Sequence, residues 1–337
     1  MPTTAALLLA LGGWLVPWQH DAGLESVSRA RGALEDVFLF AARLDADGMP
    51  VLDQRGPGWR QTADTVRTSG ARVWLTVVND RVSGTGATVL KDAEIVHRLL
   101  SETSLGQRHR AALVTLAKEL GAHGIDVDYE NLPASEREPF TRFVRALAAD
   151  ANAAGLALSV TVQPKTGPSS SRGPGAMDWE SLCRLTDRVQ VMLYNEHNAS
   201  TEPGPIASLG WIDRVIDYGL EACPAGTLVP VIKVSGMDWG PRGAEWRSHL
   251  DVMASVTGHR PKLHRERINR VPWFAYQAPD GRHVVYFEDA TSLAAKTDRL
   301  RRRGLRSVVL WSLGSQDPEA VGKIATALRK GAGAQKR

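Results

Sequence analysis

The chain has 337 residues, 43% hydrophobic and 23% charged. That is the balance of an ordinary globular protein with a large core. A net charge of +4 makes no demand for a nucleic acid partner. Two cysteines with no CxxC pair exclude a zinc ribbon or a disulfide-dense scaffold. Cys183 and Cys223 read as free thiols, with a single bridge the alternative in an exported chain.

In chain order, the start "MPTTAALLLALGGWLVPWQ" holds an apolar run too short to cross a bilayer and without a basic leader. Residues 1–11 are a candidate signal-peptide remnant, and 12–18 reads as a first strand. Apolar, β-branched runs follow at 35–41, 71–78, 124–129, 156–163, 188–194, 228–235 and 305–311. Helical patterns lie between them at 23–33, 57–69, 106–121, 134–153, 206–219 and 290–303, with Ser135 and Glu138 spaced as a capping box for the fourth. Eight strands alternating with helices predict an α/β fold, a (β/α)8 TIM barrel built as one catalytic domain over 1–337. The interval 240–289 is too long for one connection. A helical stretch at 244–256, a basic turn and two strand-like runs joined by "PDG" predict a small α+β insertion between the seventh strand and the following helix.

The stretch "HGIDVDYENL" (123–132) carries the chemistry. Successive side chains of a strand point to opposite faces, so Asp126, Asp128 and Glu130 share one face and Ile125, Val127 and Tyr129 the other. Barrel active sites lie at the C-terminal ends of the strands, which puts Glu130 at the mouth and the two aspartates progressively deeper. Carboxylates this close cannot all ionise cheaply. The expectation is that Glu130 keeps a proton at neutral pH and serves as a general acid. A salt-bridged polar core layer or a divalent cation site would also use three acids on one face.

"HGIDVDYE" resembles the DGxDxDxE signature of glycoside hydrolase family 18, with His123 where the family usually has Asp. "VMLYNEH" is similar to its MxYD motif, with Met192 and Tyr194 matching and Asn195 in place of Asp. "VPVIKVSGMDW" resembles the PLYGxDW pattern, Lys233 and Ser235 being atypical. The segment from "VVYFEDATSL" to "LWSLGSQDP" is similar to the closing part of the spore-cortex-lytic N-acetylglucosaminidase branch.

The resemblance implies a retaining hydrolase of β-1,4 linkages in N-acetylglucosamine-containing glycans, chitin oligomers or peptidoglycan, acting through the substrate's own acetamide. It implies Glu130 as acid and base, Asp128 as orienter of the acetamide, Asp126 behind it, and Tyr194 as a hydrogen-bond donor. Asn195, Met192, Trp311, Trp239 and Trp18 are the expected sugar-binding residues, Trp311 as the floor of the cleft. No cofactor or metal is expected. Nor is a nucleic acid partner or stable membrane insertion. A monomer acting outside the cell or in its envelope is expected. The alternative is a chitinase-like carbohydrate-binding protein with impaired catalysis.

Overall fold

The computed structural model describes residues 10–30, 32–53, 58–82 and 88–329. Most of the segment read as a signal-peptide remnant lies outside these. Eight parallel strands close a barrel: β1 (Ala10–Leu15), β2 (Asp36–Leu44), β3 (Arg72–Val82), β4 (Gly124–Asp128), β5 (Ala157–Val162), β6 (Arg188–Leu193), β7 (Leu228–Lys233) and β8 (Ser307–Trp311). Each pairs with its neighbours in chain order, and β8 returns to β1. This is the expected (β/α)8 TIM barrel. Among the described residues, no helix is long and apolar enough to cross a membrane.

Strand alternation separates two cores. Ile125, Val127 and Tyr129 of β4 and its exit lie in the apolar layer between strands and helices. Inside the barrel, Trp14, Phe38, Trp74, Val229, Val231 and Val309 form a second apolar cluster. At the N-terminal end of the barrel, fully buried Asp36 accepts from Arg72 Nε, Trp74 Nε1 and Arg188, all at 2.8 Å. Burial works to raise its pKa, but the two guanidinium groups and the indole win and hold it below the usual carboxylate range. A buried charge compensated this fully can close the bottom of the barrel.

Between β7 and β8 the insertion forms a five-stranded antiparallel sheet with the helix His249–His259 against it. It differs from expectation at its start. Residues 243–247 are a strand, pairing Trp246 with Met237 and Glu245 with Asp238. The helix begins only after Ser248, where Ser248 and Asp251 make a capping box.

Other boundaries move for similar local reasons. β1 ends at Leu15, because Pro17 opens a 3₁₀ turn that carries Trp18 past the strand. The helix predicted over 106–121 is Thr103–Glu119, preceded by an unforeseen helix, Ala93–Ser101, capped by Asp92. Ser135 does not cap the next one. A 3₁₀ turn, Ala134–Glu136, comes first, and the helix starts at Arg137 without a side-chain cap. Cys183 and Cys223 are not free thiols but a disulfide with Cα atoms 5.5 Å apart. The helices Trp179–Leu185 and Leu209–Ala222 lie side by side outside the barrel, which brings together two cysteines 40 residues apart.

The strand that bears the acids is pinned from outside. Tyr129 and His109 are both buried, with the Tyr129 hydroxyl 2.6 Å from His109 Nε2. His109 Nδ1 lies 2.7 Å from the Gly48 carbonyl, which can only accept, so Nδ1 carries the proton and Nε2 takes the tyrosine's. Burial pushes the His109 pKa down to about 4 and keeps the ring neutral. In the unfolded chain the same ring takes a proton near the ordinary histidine value. Stability is therefore retained above that value and lost as pH falls toward 4, by about 3 kcal/mol in all. Denaturant unfolding at stepped pH should show this slope in the wild type and a flatter one in His109→Gln.

Candidate active site

The carboxylates of β4 and its exit are satisfied in different ways. Asp126 is fully buried. It accepts from Thr76 Oγ1 at 3.0 Å on β3, Thr161 Oγ1 at 3.1 Å on β5 and Gln190 Nε2 at 2.9 Å on β6. Trp14 Nε1 donates to Thr76 Oγ1 at 3.0 Å, leaving the threonine hydroxyl to donate to Asp126. Burial raises the Asp126 pKa, and these donors offset only part of the rise.

Asp128, next along the row, is also buried, and its Oδ1 has no hydrogen-bond partner. Burial, then the charges of Glu130 and Asp126, push its pKa well above the carboxylate range, with Lys91 pulling back. The clearest upward shift thus falls one position deeper than the expected proton on Glu130.

Glu130 is at the mouth, its side chain 17% exposed. Lys91 Nζ lies 2.6 Å from Oε1, and Gln163 Nε2 donates to Oε2 at 3.2 Å. Asn79, on β3, holds the backbone from both sides. The Glu130 N–H donates to Asn79 Oδ1, and Asn79 Nδ2 donates to the Glu130 carbonyl, each at 2.9 Å. Asn131 then takes a left-handed φ of 61° and turns the chain away.

Tyr194, just past β6, is buried facing the row. Burial and then the charges of Glu130, Asp128 and Asp126 push its pKa well above that of a free phenol. Met192 lies on the same inner face, within the barrel's apolar cluster. Trp311 closes β8 and meets Trp14, Phe40 and Trp18 at ring distances of 5.6, 5.3 and 6.3 Å. Trp18 is 62% exposed beside it, so the two offer adjacent aromatic surface.

Two expected residues are engaged away from the barrel interior. Trp239 is buried in the insertion sheet, its Nε1 donating to the Asn198 carbonyl at 3.1 Å. Asn195 is exposed at a φ of 72°, and its carbonyl accepts from Asn198 Nδ2. Thr76, Thr161, Gln190, Asn79, Gln163 and Lys91 complete the site without having been singled out. The first three had a signal: a polar side chain at an inward position of a strand otherwise apolar. Among the described residues, no group of three or more His, Cys, Asp or Glu is arranged to hold a metal ion.

The family model of glycosyl hydrolases family 18 matches residues 95–317. The chain belongs to that family. It is 27% identical over 242 residues to the cortical fragment-lytic enzyme of Bacillus subtilis, covering 69% of this chain and 54% of that protein. The chain thus spans about half the length of such relatives. It shares its fold with a chitinase from Chromobacterium violaceum (TM-score 0.85, 24% identity, 96% of this chain and 99% of that one). The same holds for the Bacillus cereus spore cortex-lytic enzyme SleL (TM-score 0.83, 20% identity, 94% and 73%).

The departure from the family 18 signature at His123 lies at the opposite end of β4 from Glu130. His123 is exposed and meets Trp74 edge-on at 5.3 Å. Its distance from the mouth keeps the substitution away from the acids.

Because the Asp128 pKa is raised, the folded protein binds a proton that the unfolded chain releases once pH passes the ordinary carboxylate value. Stability is then lost as pH rises. Asp128→Asn removes that loss. Its melting temperature should exceed that of the wild type at neutral pH, with the difference closing below the ordinary aspartate pKa.

Proposed function

We propose that the protein is a retaining glycosidase that cleaves β-1,4 bonds on the reducing side of N-acetylglucosamine, with peptidoglycan glycan strands favoured over chitin. The observation that carries the reading is the differently satisfied acid row. Asp126 is saturated by donors, Asp128 has a buried unpartnered oxygen, and Glu130 alone reaches the mouth.

In this reading Glu130 gives its proton to the glycosidic oxygen as the C1–O bond breaks. The substrate's acetamide carbonyl oxygen bonds to C1, forming an oxazolinium ion. The acetamide N–H is the donor that Asp128 Oδ1 lacks, and a carboxylate there stabilises the positive charge that develops on the ring. Tyr194 donates to the acetamide oxygen and fixes its line of attack. Glu130, now a carboxylate, takes a proton from water as that water attacks C1, which reopens the ring with retention. Trp311, with Trp18 beside it, supplies an apolar floor for the C–H face of the sugar. Met192, on the same inner face as Tyr194, shapes the wall beside it.

The preference for peptidoglycan rests on likeness to proteins named as cortical fragment-lytic and spore cortex-lytic enzymes. A substrate of that kind lies outside the cytoplasm, which supports action outside the cell or in its envelope.

Glu130→Gln keeps the volume and removes the acid. Its kcat on a chromogenic chitobioside and on purified peptidoglycan should fall about 10²–10⁴-fold with little change in KM. If the wild type cleaves neither substrate yet binds both as tightly as the variant, the protein is a binding module and not a hydrolase.

A further inference from the structure

We propose that Lys91 reads a free carboxylate on the sugar that leaves, so that the preferred substrate is a glycan strand whose muramic acid residues have already lost their peptides. The inference rests on the hydrolase reading above and deepens it.

The Lys91 ammonium sits 2.6 Å from Glu130 Oε1. Opening this ion pair frees Oε1 for the leaving oxygen and the ammonium for another anion. The lysine is built to open the pair. Its backbone is fixed: φ is 51°, a left-handed value uncommon in a residue with a Cβ. Its N–H donates to Asp80 Oδ1 at 2.9 Å. The next residue, Asp92, is held by the Asn79 carbonyl and by Arg81, and it caps the helix Ala93–Ser101. The side chain beyond this anchored Cα is 51% exposed and can swing.

A second ammonium shares the mouth. Lys233, at the end of β7, lies 3.0 Å over the Trp246 ring and 5.6 Å from that of Tyr194. Its pKa is pushed down to about 7, by burial and then by the charge of Lys91. As cations the two repel each other, and an incoming anion relieves both.

The chemistry of the substrate says where that anion would be. When Glu130 protonates the oxygen between two sugars, that oxygen is O4 of the leaving residue. A muramic acid carries a lactyl ether on O3, the neighbouring position. Its carboxylate is joined to the scissile oxygen only through C4, C3, O3 and the lactyl carbon, within reach of a lysine already touching Glu130. On the other side of the bond, the same ether would stand away from the leaving oxygen. Chitin has a neutral hydroxyl at O3. In peptide-bearing strands the lactyl carboxyl is an amide. A hydrolase of the bond between the lactyl group and the first amino acid must therefore act first.

The test measures kcat/KM of wild type, Lys91→Met and Lys91→Arg on peptide-stripped glycan strands, the same strands with peptides, chitin oligosaccharides and hyaluronan oligosaccharides, which place a uronic carboxylate near O4. Wild type should prefer stripped strands over the other three. Lys91→Met should reduce the ratio of stripped strands to chitin by about tenfold or more, mainly through KM, and Lys91→Arg should restore most of it. An unchanged ratio in Lys91→Met overturns the proposal, as does preference for peptide-bearing strands or hyaluronan, while the hydrolase reading survives. Failure of the wild type to cleave any substrate overturns both.

Discussion

A carboxylate with no exposed surface, in the middle of a barrel, has to be met by donors, and the way Asp126 meets them organises the mouth. Its three donors come from three strands: Thr76 on β3, Thr161 on β5 and Gln190 on β6. An unsatisfied carboxylate there would cost several kcal/mol or take up a proton. The same contacts therefore fix the register of β4 against its neighbours, Asp126 lying opposite Thr76 and Ser159. A slip of one residue would turn Ile125 and Val127 into this polar layer and send the acids into the apolar layer under the helices. Fold and candidate chemistry here answer to one constraint.

That constraint divides the barrel interior. The wall made by β3 to β6 carries Thr76, Asp126, Ser159, Thr161 and Gln190, all buried, with Trp74 and Met192 of the apolar cluster beside them. The wall made by β1, β2, β7 and β8 carries Trp14, Phe38, Val229, Val231 and Val309, with Trp311 at its upper edge. A pyranose has the same division, with apolar C–H faces and polar edges. A cleft with an aromatic floor opposite a row of carboxyls can hold the ring by stacking while presenting acids to one edge. Asp36, clamped by Arg72 and Arg188, keeps the other end of the barrel closed.

The sequence showed what depends on short-range periodicity. Alternation over five residues was enough to place Asp126, Asp128 and Glu130 on one face, and the same rule puts Met192 and Tyr194 inward on β6 and its exit. The eight strands were legible because buried parallel strands are continuous apolar runs. Asn79, Gln163 and Lys91 were not, because each reaches Glu130 from another part of the chain across the barrel mouth, and nothing in its own neighbourhood marks it. The disulfide was legible only as the alternative to free thiols, for a related reason: it joins two helices adjacent only after the barrel closes. The misplaced boundaries were local errors, where Pro17 cut the first strand short and Ser248 and the 3₁₀ turn after Pro133 delayed two helices. Trp239 shows the opposite failure. A tryptophan close to the end of a barrel strand looked like a sugar platform, but the insertion continues that strand into its own sheet and uses the ring for packing.

The position of the proton is where electrostatic reasoning from the sequence needed the structure. Repulsion among three acids says that one stays protonated, but not which. Asp126 has donors from three strands, and Glu130 has an ammonium and an amide. Asp128 has a buried unpartnered oxygen and a like charge on either side. The raised Asp128 pKa puts the strongest hold on a proton in the middle of the row, beside the carboxyl that the proposed mechanism uses as donor. In the proposed reading, Lys91 turning to a substrate carboxylate would take its ammonium from Glu130, while an acetamide N–H arriving at Asp128 would favour the ionised form of that group. Both changes would loosen the hold of Asp128 on its proton and favour its passage toward the mouth. Substrate binding on either side of the scissile bond would then arm the acid, and a neutral leaving sugar would supply only half of that drive.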